Sequence, residues 1–295
     1  MSRSLTTWLP AVLVWLTGNG LLGGCTPAPT PAMALANYDY HDVATRGHCA
    51  PATRPGAAGD AGASDLQSTP EGVRYVLRAP QNYRPDSAHP LLVVYAPAGY
   101  SAAANERYTG LTAAATGRGF LVVYTAAQPP SLAGIRALAQ LPAAVAARWC
   151  VAPKQIYATG HSDGGTATTA IAVLPALPHP FAAIAPSAAG FTAEDLRGYR
   201  CPQPVAVMVL HNAGDELFPG WGAQAARWWA QCNGCAVTAT TRDPGGCLRY
   251  AQCPAGADTR YCEYPGDHRH WPATAAALLD FFQAAPTRAT GPTQP

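Results

Sequence analysis

The stretch that decides the fold reads Gln155-Ile156-Tyr157-Ala158-Thr159-Gly160-His161-Ser162-Asp163-Gly164-Gly165. Residues 155–159 carry β-formers at Ile156, Tyr157 and Thr159 and read as a short strand. Residues 166–174 are an Ala/Thr/Ile/Val run able to form a buried helix until Pro175. Between them, Gly160 to Gly164 fits G-x-S-x-G. A strand, a glycine-flanked serine and a helix are the context of a nucleophile elbow, a strained turn that exposes the serine. Small residues on either side let strand and helix approach, and the N–H of Asp163 then faces the place where an oxyanion would form. A plain strand-to-helix turn with Ser162 as a helix cap fits the same residues, so the decision passes to the rest of the chain.

Working outward, strand-like runs fall at 73–79, 91–96, 120–125, 155–159, 181–186, 205–211, 237–241 and 260–264. Several are continuously apolar, notably Leu91-Leu92-Val93-Val94-Tyr95 and Val205 through Leu210, as suits parallel strands covered on both faces. Helix-like runs alternate with them at 105–116, 132–149, 166–174, 222–231 and 272–283. Pro142 lies inside the second of these and predicts a kink or a split there. The alternation predicts an open, mostly parallel sheet with helices on both faces.

An activated serine needs a base, and the base needs a carboxylate to fix its tautomer. On a sheet of this kind both belong on loops after later strands. After 205–210 comes His211-Asn212-Ala213-Gly214-Asp215, which nominates Asp215, with Glu216 as its rival. A loop aspartate in an Asx turn is the alternative reading. After 260–264 comes Pro265-Gly266-Asp267-His268-Arg269-His270-Trp271-Pro272, which nominates His268 ahead of His270.

The chain has 295 residues, 48% apolar content and a net charge of +2 without basic blocks. That bounds it to one large domain or two small ones and gives nucleic-acid binding no electrostatic footprint. Only 12% of residues are charged while Ala, Gly and Pro abound, a composition that suggests a secreted or cell-surface protein. Arg3 precedes an apolar stretch over 8–22, broken by Pro10 and Gly18-Asn19-Gly20, which reads as a signal peptide over 1–24 rather than a membrane span. Leu22-Gly23-Gly24-Cys25 resembles a bacterial lipobox, so Cys25 is expected to be lipidated and 25–48 to be a tether to a catalytic domain over 49–284. Residues 50–70 read as a loop and 285–295 as a disordered tail. The expected location is the bacterial envelope or the exterior, with membrane contact through the lipid alone.

Of nine cysteines, removing Cys25 leaves the even set Cys49, Cys150, Cys201, Cys232, Cys235, Cys247, Cys253 and Cys262, which suits disulfides in an oxidising compartment. The expected pairs include Cys247 with Cys253 and Cys235 with Cys262. Cys232-x-x-Cys235 lacks a second ligand pair, so neither a metal nor another cofactor is expected.

The GHSDGG elbow, the HNAGDELFP loop, Asn233-Gly234-Cys235 and the PGDHRHWP loop together resemble the polyhydroxybutyrate depolymerase and feruloyl esterase group of α/β hydrolases, over 73–282. The resemblance implies an α/β-hydrolase fold with a mostly parallel sheet of about eight strands flanked by helices. It implies an ester substrate, with Ser162 as nucleophile, Asp215 as acid and His268 as base. Two departures stand out. The group's G-x-H-x-W-P is lengthened by one residue, which keeps His270 in contention. Its His-Gly after the early strand is replaced by Ala96-Pro97-Ala98-Gly99-Tyr100. With the Asp163 N–H as one oxyanion donor, the second falls to Ala98, with Gly99 behind it, because Pro97 has no N–H. Trp271, Tyr100 and Trp221 flank these loops and are candidate substrate contacts, although core packing suits them as well. The same departures fit another reading, a surface lipoprotein that kept the esterase fold and lost the chemistry for a binding role.

Overall fold

Leu91, Val93 and Tyr95 face one core and Leu92 and Val94 the other, and all five are fully buried. The alternation explains why this strand is apolar throughout: both its faces are covered. The computed structural model describes residues 33–40, 48–49, 66–272 and 275–286. The expected signal peptide, Cys25, most of the 50–70 loop and the end of the tail lie outside the described residues.

The chain runs β1 (Gln67–Ser68), β2 (Arg74–Arg78), β3 (His89–Tyr95), α1 (Ala102–Thr109), α2 (Thr112–Gly117), β4 (Leu121–Thr125), α3 (Leu132–Ala146), β5 (Val151–His161) and α4 (Asp163–Val173). It continues β6 (Ala183–Ser187), α5 (Ala193–Arg197), β7 (Ala206–Asn212), α6 (Trp221–Cys232), β8 (Ala236–Arg242), β9 (Leu248–Ala251), β10 (Thr259–Tyr264) and α7 (Ala275–Ala284). Among the described residues these strands form one ten-stranded sheet in the order β1-β2-β4-β3-β5-β6-β7-β10-β9-β8. From β4 to β10 the neighbours are parallel, and antiparallel strands close both edges. Residues of α3, α4 and α6 pack into one core, and residues of α1, α2 and α7 into the other.

All eight expected strands are present, together with the short β1 and β9. The helix expected over 105–116 is two helices. Gly110 ends α1 in the left-handed region at φ 60°, its N–H bonded to the Glu106 carbonyl, as glycine does at helix C-termini. Of the kink or split expected at Pro142, the split does not occur: α3 is one helix through it. A proline leaves the carbonyl four residues earlier without its helical donor. Here that carbonyl belongs to Leu138, and the buried Tyr95 hydroxyl donates to it at 3.3 Å.

The disulfides are Cys49–Cys150, Cys201–Cys232, Cys235–Cys253 and Cys247–Cys262. This corrects the expected Cys247–Cys253 and Cys235–Cys262. The intervening strand β9 is the reason: it carries Cys253 away from Cys247. Its antiparallel register with β10, in which Tyr261 faces Leu248, puts Cys262 opposite Cys247.

The tether expected through residue 48 touches the domain well before that point. The Ala36 N–H donates to Thr116 Oγ1, its carbonyl accepts from Gln81, and the Tyr40 hydroxyl donates to His89 Nε2 at the start of β3.

Candidate active site

β5 ends at His161, α4 begins at Asp163, and Ser162 takes the whole turn between them at φ 55° and ψ −118°. A non-glycine residue in that region carries on the order of 1–3 kcal/mol of strain, so its surroundings must hold it. They do so by contact. A β-carbon on Gly160 would lie 2.6 Å from the Tyr95 and Gly164 carbonyl oxygens. One on Gly164 would run into the Tyr95 carbonyl, and one on Gly165 into the Ser187 carbonyl. The glycines of the motif are therefore required by β3 and β6 on either side, and the Ser162 N–H donates to the Ser187 carbonyl at 3.0 Å.

The other two polar groups arrive from β7 and β10, two parallel neighbours on the same side of β5. His268 Nδ1–H donates to Asp215 Oδ2 at 2.8 Å, and its Nε2 accepts from the Ser162 hydroxyl at 2.9 Å. Asp215 is buried, and its second oxygen, Oδ1, accepts the N–H groups of Leu217 and Phe218 at 3.0 and 2.9 Å. The Asx-type turn and the histidine partner are thus one arrangement. Burial pushes the Asp215 carboxyl up, but the His268 and Phe218 hydrogen bonds and the neighbouring histidines outweigh it and hold the group below its ordinary range. The rivals stand apart: Glu216 is exposed, and His270 is an exposed residue paired with Asp267 at 2.8 Å.

Asn212 and His161, which sequence reasoning passed over, hold the loop that carries His268. Asn212 Nδ2 donates to the carbonyls of Asp267 and His270 at 2.7 and 2.9 Å. His161 Nε2 donates to the His268 carbonyl at 2.6 Å. Each is the last residue of its strand, His161 directly before Ser162 and Asn212 three residues before Asp215. Only the strand order reveals that they meet the histidine loop. Phe218 was missed as well. Its ring stacks on Trp221 at 4.7 Å and stands edge-on to His268 at 4.9 Å, so Trp221 approaches the histidine through Phe218. Tyr100 contacts the Tyr108 ring, and Tyr108 in turn contacts the rings of His161 and Trp271.

Ala98 lies exposed in the turn after β3, in which the Tyr100 N–H donates to the Pro97 carbonyl. The close fit of Gly164 against Tyr95 and Ala96 brings this loop beside the elbow. Asp163 opens α4, where the first N–H groups of a helix have no intrahelical partner and favour negative charge. Its carboxyl is pushed up by burial, partly offset by the charge of His268. Among the described residues no group of three or more His, Cys, Asp or Glu could hold a metal ion. The arrangement can move the Ser162 proton to an imidazole whose other nitrogen is held by a carboxylate, beside a helix N-terminus able to receive an oxyanion.

No family model and no curated protein matches the sequence. In structure the chain is similar to an acetyl xylan esterase from Aspergillus awamori, at 16% identity and TM-score 0.55, over 75% of this chain and 99% of that one. It is similar to the fluorophosphonate-binding serine hydrolase F of Staphylococcus aureus, at 12% identity and TM-score 0.56, over 76% and 99%. A ferulic acid esterase from the anaerobic fungus Anaeromyces mucronatus aligns at 11% identity and TM-score 0.53, over 82% and 95%. With its helix-flanked, centrally parallel sheet and its strand-serine-helix turn, the chain has the α/β-hydrolase fold.

Proposed function

We propose that this chain is a serine carboxylic-ester hydrolase of the cell envelope or exterior. The reading rests on one observation above all: the His268 ring lies between Ser162 and Asp215 with a hydrogen bond to each. In this reading Ser162 Oγ attacks the ester carbonyl as its proton passes to His268 Nε2. Asp215 stabilises the imidazolium, and the backbone N–H groups of Asp163 and Ala98 hold the oxyanion. The tetrahedral intermediate breaks its bond to the alcohol, which leaves with the proton from His268. Water then attacks the acyl-enzyme by the same route, giving its proton to His268 and releasing the acid and free Ser162.

For substrates we propose feruloyl or acetyl esters of carbohydrate, or hydroxyalkanoate oligomers, with Trp271, Tyr100 and Trp221 lining their approach. The names of the structural neighbours favour the carbohydrate esters. The disulfides support an oxidising setting. Cys25 is the proposed lipid-bearing residue, and Cys25→Ser should then release the protein from the membrane fraction.

The test is labelling with a fluorophosphonate probe beside a panel of methyl ferulate, acetylated xylan and hydroxybutyrate oligomers. Wild-type protein should take the label and turn over at least one ester class, and Ser162→Ala should do neither. A Ser162→Ala protein with full p-nitrophenyl ester turnover would sink the proposal. A wild-type protein that stays unlabelled would favour a binding role for the fold instead.

A further inference from the structure

Ser162 and His268 are joined twice. The direct link is the hydroxyl-to-imidazole bond. The second runs behind them through two buried side chains, His161 at 2% and Ser187 at 0% exposure. The Ser162 N–H donates to the Ser187 carbonyl at 3.0 Å, His161 Nδ1 lies 2.9 Å from Ser187 Oγ, and His161 Nε2 lies 2.6 Å from the His268 carbonyl. A carbonyl can only accept, so the proton of a neutral His161 is on Nε2. Its Nδ1 must then accept, and the Ser187 hydroxyl is the donor. The circuit closes on itself, and every bond in it has a defined direction.

We infer that His161, tethered at Nε2 by the His268 carbonyl and at Nδ1 by the Ser187 hydroxyl, is the positioning residue that sets the spacing between Ser162 and His268. The inference rests on the roles proposed above for those two. Asn212 ties the carbonyls of Asp267 and His270, which bracket those of His268 and Arg269. His161 takes the His268 carbonyl, and its ring lies 5.2 Å from the His268 ring, limiting how far the base can swing. A neutral imidazole is suited to the place, since a cation there would oppose the charge that His268 acquires during turnover. Burial holds His161 neutral down to about 4.

The test is turnover per active site, with sites counted by fluorophosphonate titration. Misplacement of a reacting group by about 1 Å costs on the order of 100-fold. We expect His161→Phe, which keeps a ring but no N–H, to lower kcat per titrated site about 10- to 100-fold with KM within about twofold. His161→Gln can still donate from a similar position and should recover most of that loss. A merely structural role would lower the melting temperature and the titratable fraction but leave kcat per titrated site at the wild-type value, and that result in His161→Phe overturns the inference. If His161→Phe does not fold, Ser187→Ala decides in its place. It removes the oxygen that tethers His161 Nδ1, leaves the ring held at Nε2 alone, and should lower kcat per site about 5- to 10-fold; unchanged turnover per site overturns the inference. A wild-type protein that takes no label overturns the reading of Ser162 itself, and this inference with it.

Discussion

Gly164 and Tyr95 stand so close that a β-carbon on the first would run into the carbonyl oxygen of the second. The contact is between main chains, so no side chain can turn aside to relieve it. Gly164→Ala should therefore unseat the first turn of α4 from β3, destabilise the fold by about 1–3 kcal/mol or more, and lower ester turnover further than stability alone explains. Gly72→Ala is the control, because nothing lies within 4 Å of its missing β-carbon although φ is +83°. Thermal unfolding of the two variants separates collision from mere backbone preference.

Asp215 and Glu216, and likewise His268 and His270, should divide sharply. Asp215→Asn keeps the shape of the loop but not the charge on His268, and should lower kcat about 10³- to 10⁴-fold. His268→Ala should abolish fluorophosphonate labelling. Glu216→Gln and His270→Ala remove exposed groups outside the circuit and should leave turnover within about twofold. Large losses in both of the latter would mean that the loops rearrange around substrate.

Acid should weaken the fold through His161. An unfolded chain binds a proton on this imidazole below its ordinary value of 6.5, while burial keeps the folded one neutral to about 4. Unfolding thus takes up a proton within that window, and stability falls as the pH drops from 6.5 toward 4, by roughly 3 kcal/mol if this group acted alone. His211, whose proton affinity burial also lowers, shifts stability in the same direction. Asp215 adds a further loss lower down, as the pH falls from its ordinary 3.8 through its depressed folded value. Melting temperatures between pH 7 and 4.5 should fall less steeply in His161→Gln than in wild type. Parallel curves would refute the assignment.

Non-reducing peptide mapping should recover Cys247 with Cys262 and Cys235 with Cys253. Replacing Cys247 and Cys262 together by serine opens a loop with sequence separation 15 and should cost about 3 kcal/mol. A peptide joining Cys247 to Cys253 would mean that β9 is not paired as described.

The frame of this fold was legible because its central strands are covered on both faces, which leaves runs such as 91–95 and 205–210 with no polar residue to mislead. Asp215 was nominated because it follows such a strand, and His268 because it follows β10, a strand carrying Arg260 and Glu263 that was read from its place in the alternation. The rest depended on neighbours that no local pattern contains. Tyr95 completes α3 from β3, 43 residues earlier than the carbonyl it serves. His161 and Ser187 meet because β5 and β6 are adjacent, with His161 facing Ser187 across the register. The disulfide pairs were misassigned for want of β9, four residues flanked by a Gly-Gly turn and a cysteine, too short for periodicity to register.

The docking of residues 36–40 also gives the molecule a front and a back. Tyr40 reaches His89, the first residue of β3, and the Cys49–Cys150 disulfide stands just before β5. Ser162 follows the far end of β5, on the order of 20 Å along the strand direction. Residues 36–40 are therefore held at the end of the sheet remote from the serine. The described N-terminal contacts thus brace the end of the sheet opposite the elbow and leave the elbow's own end to the loops after β3, β7 and β10.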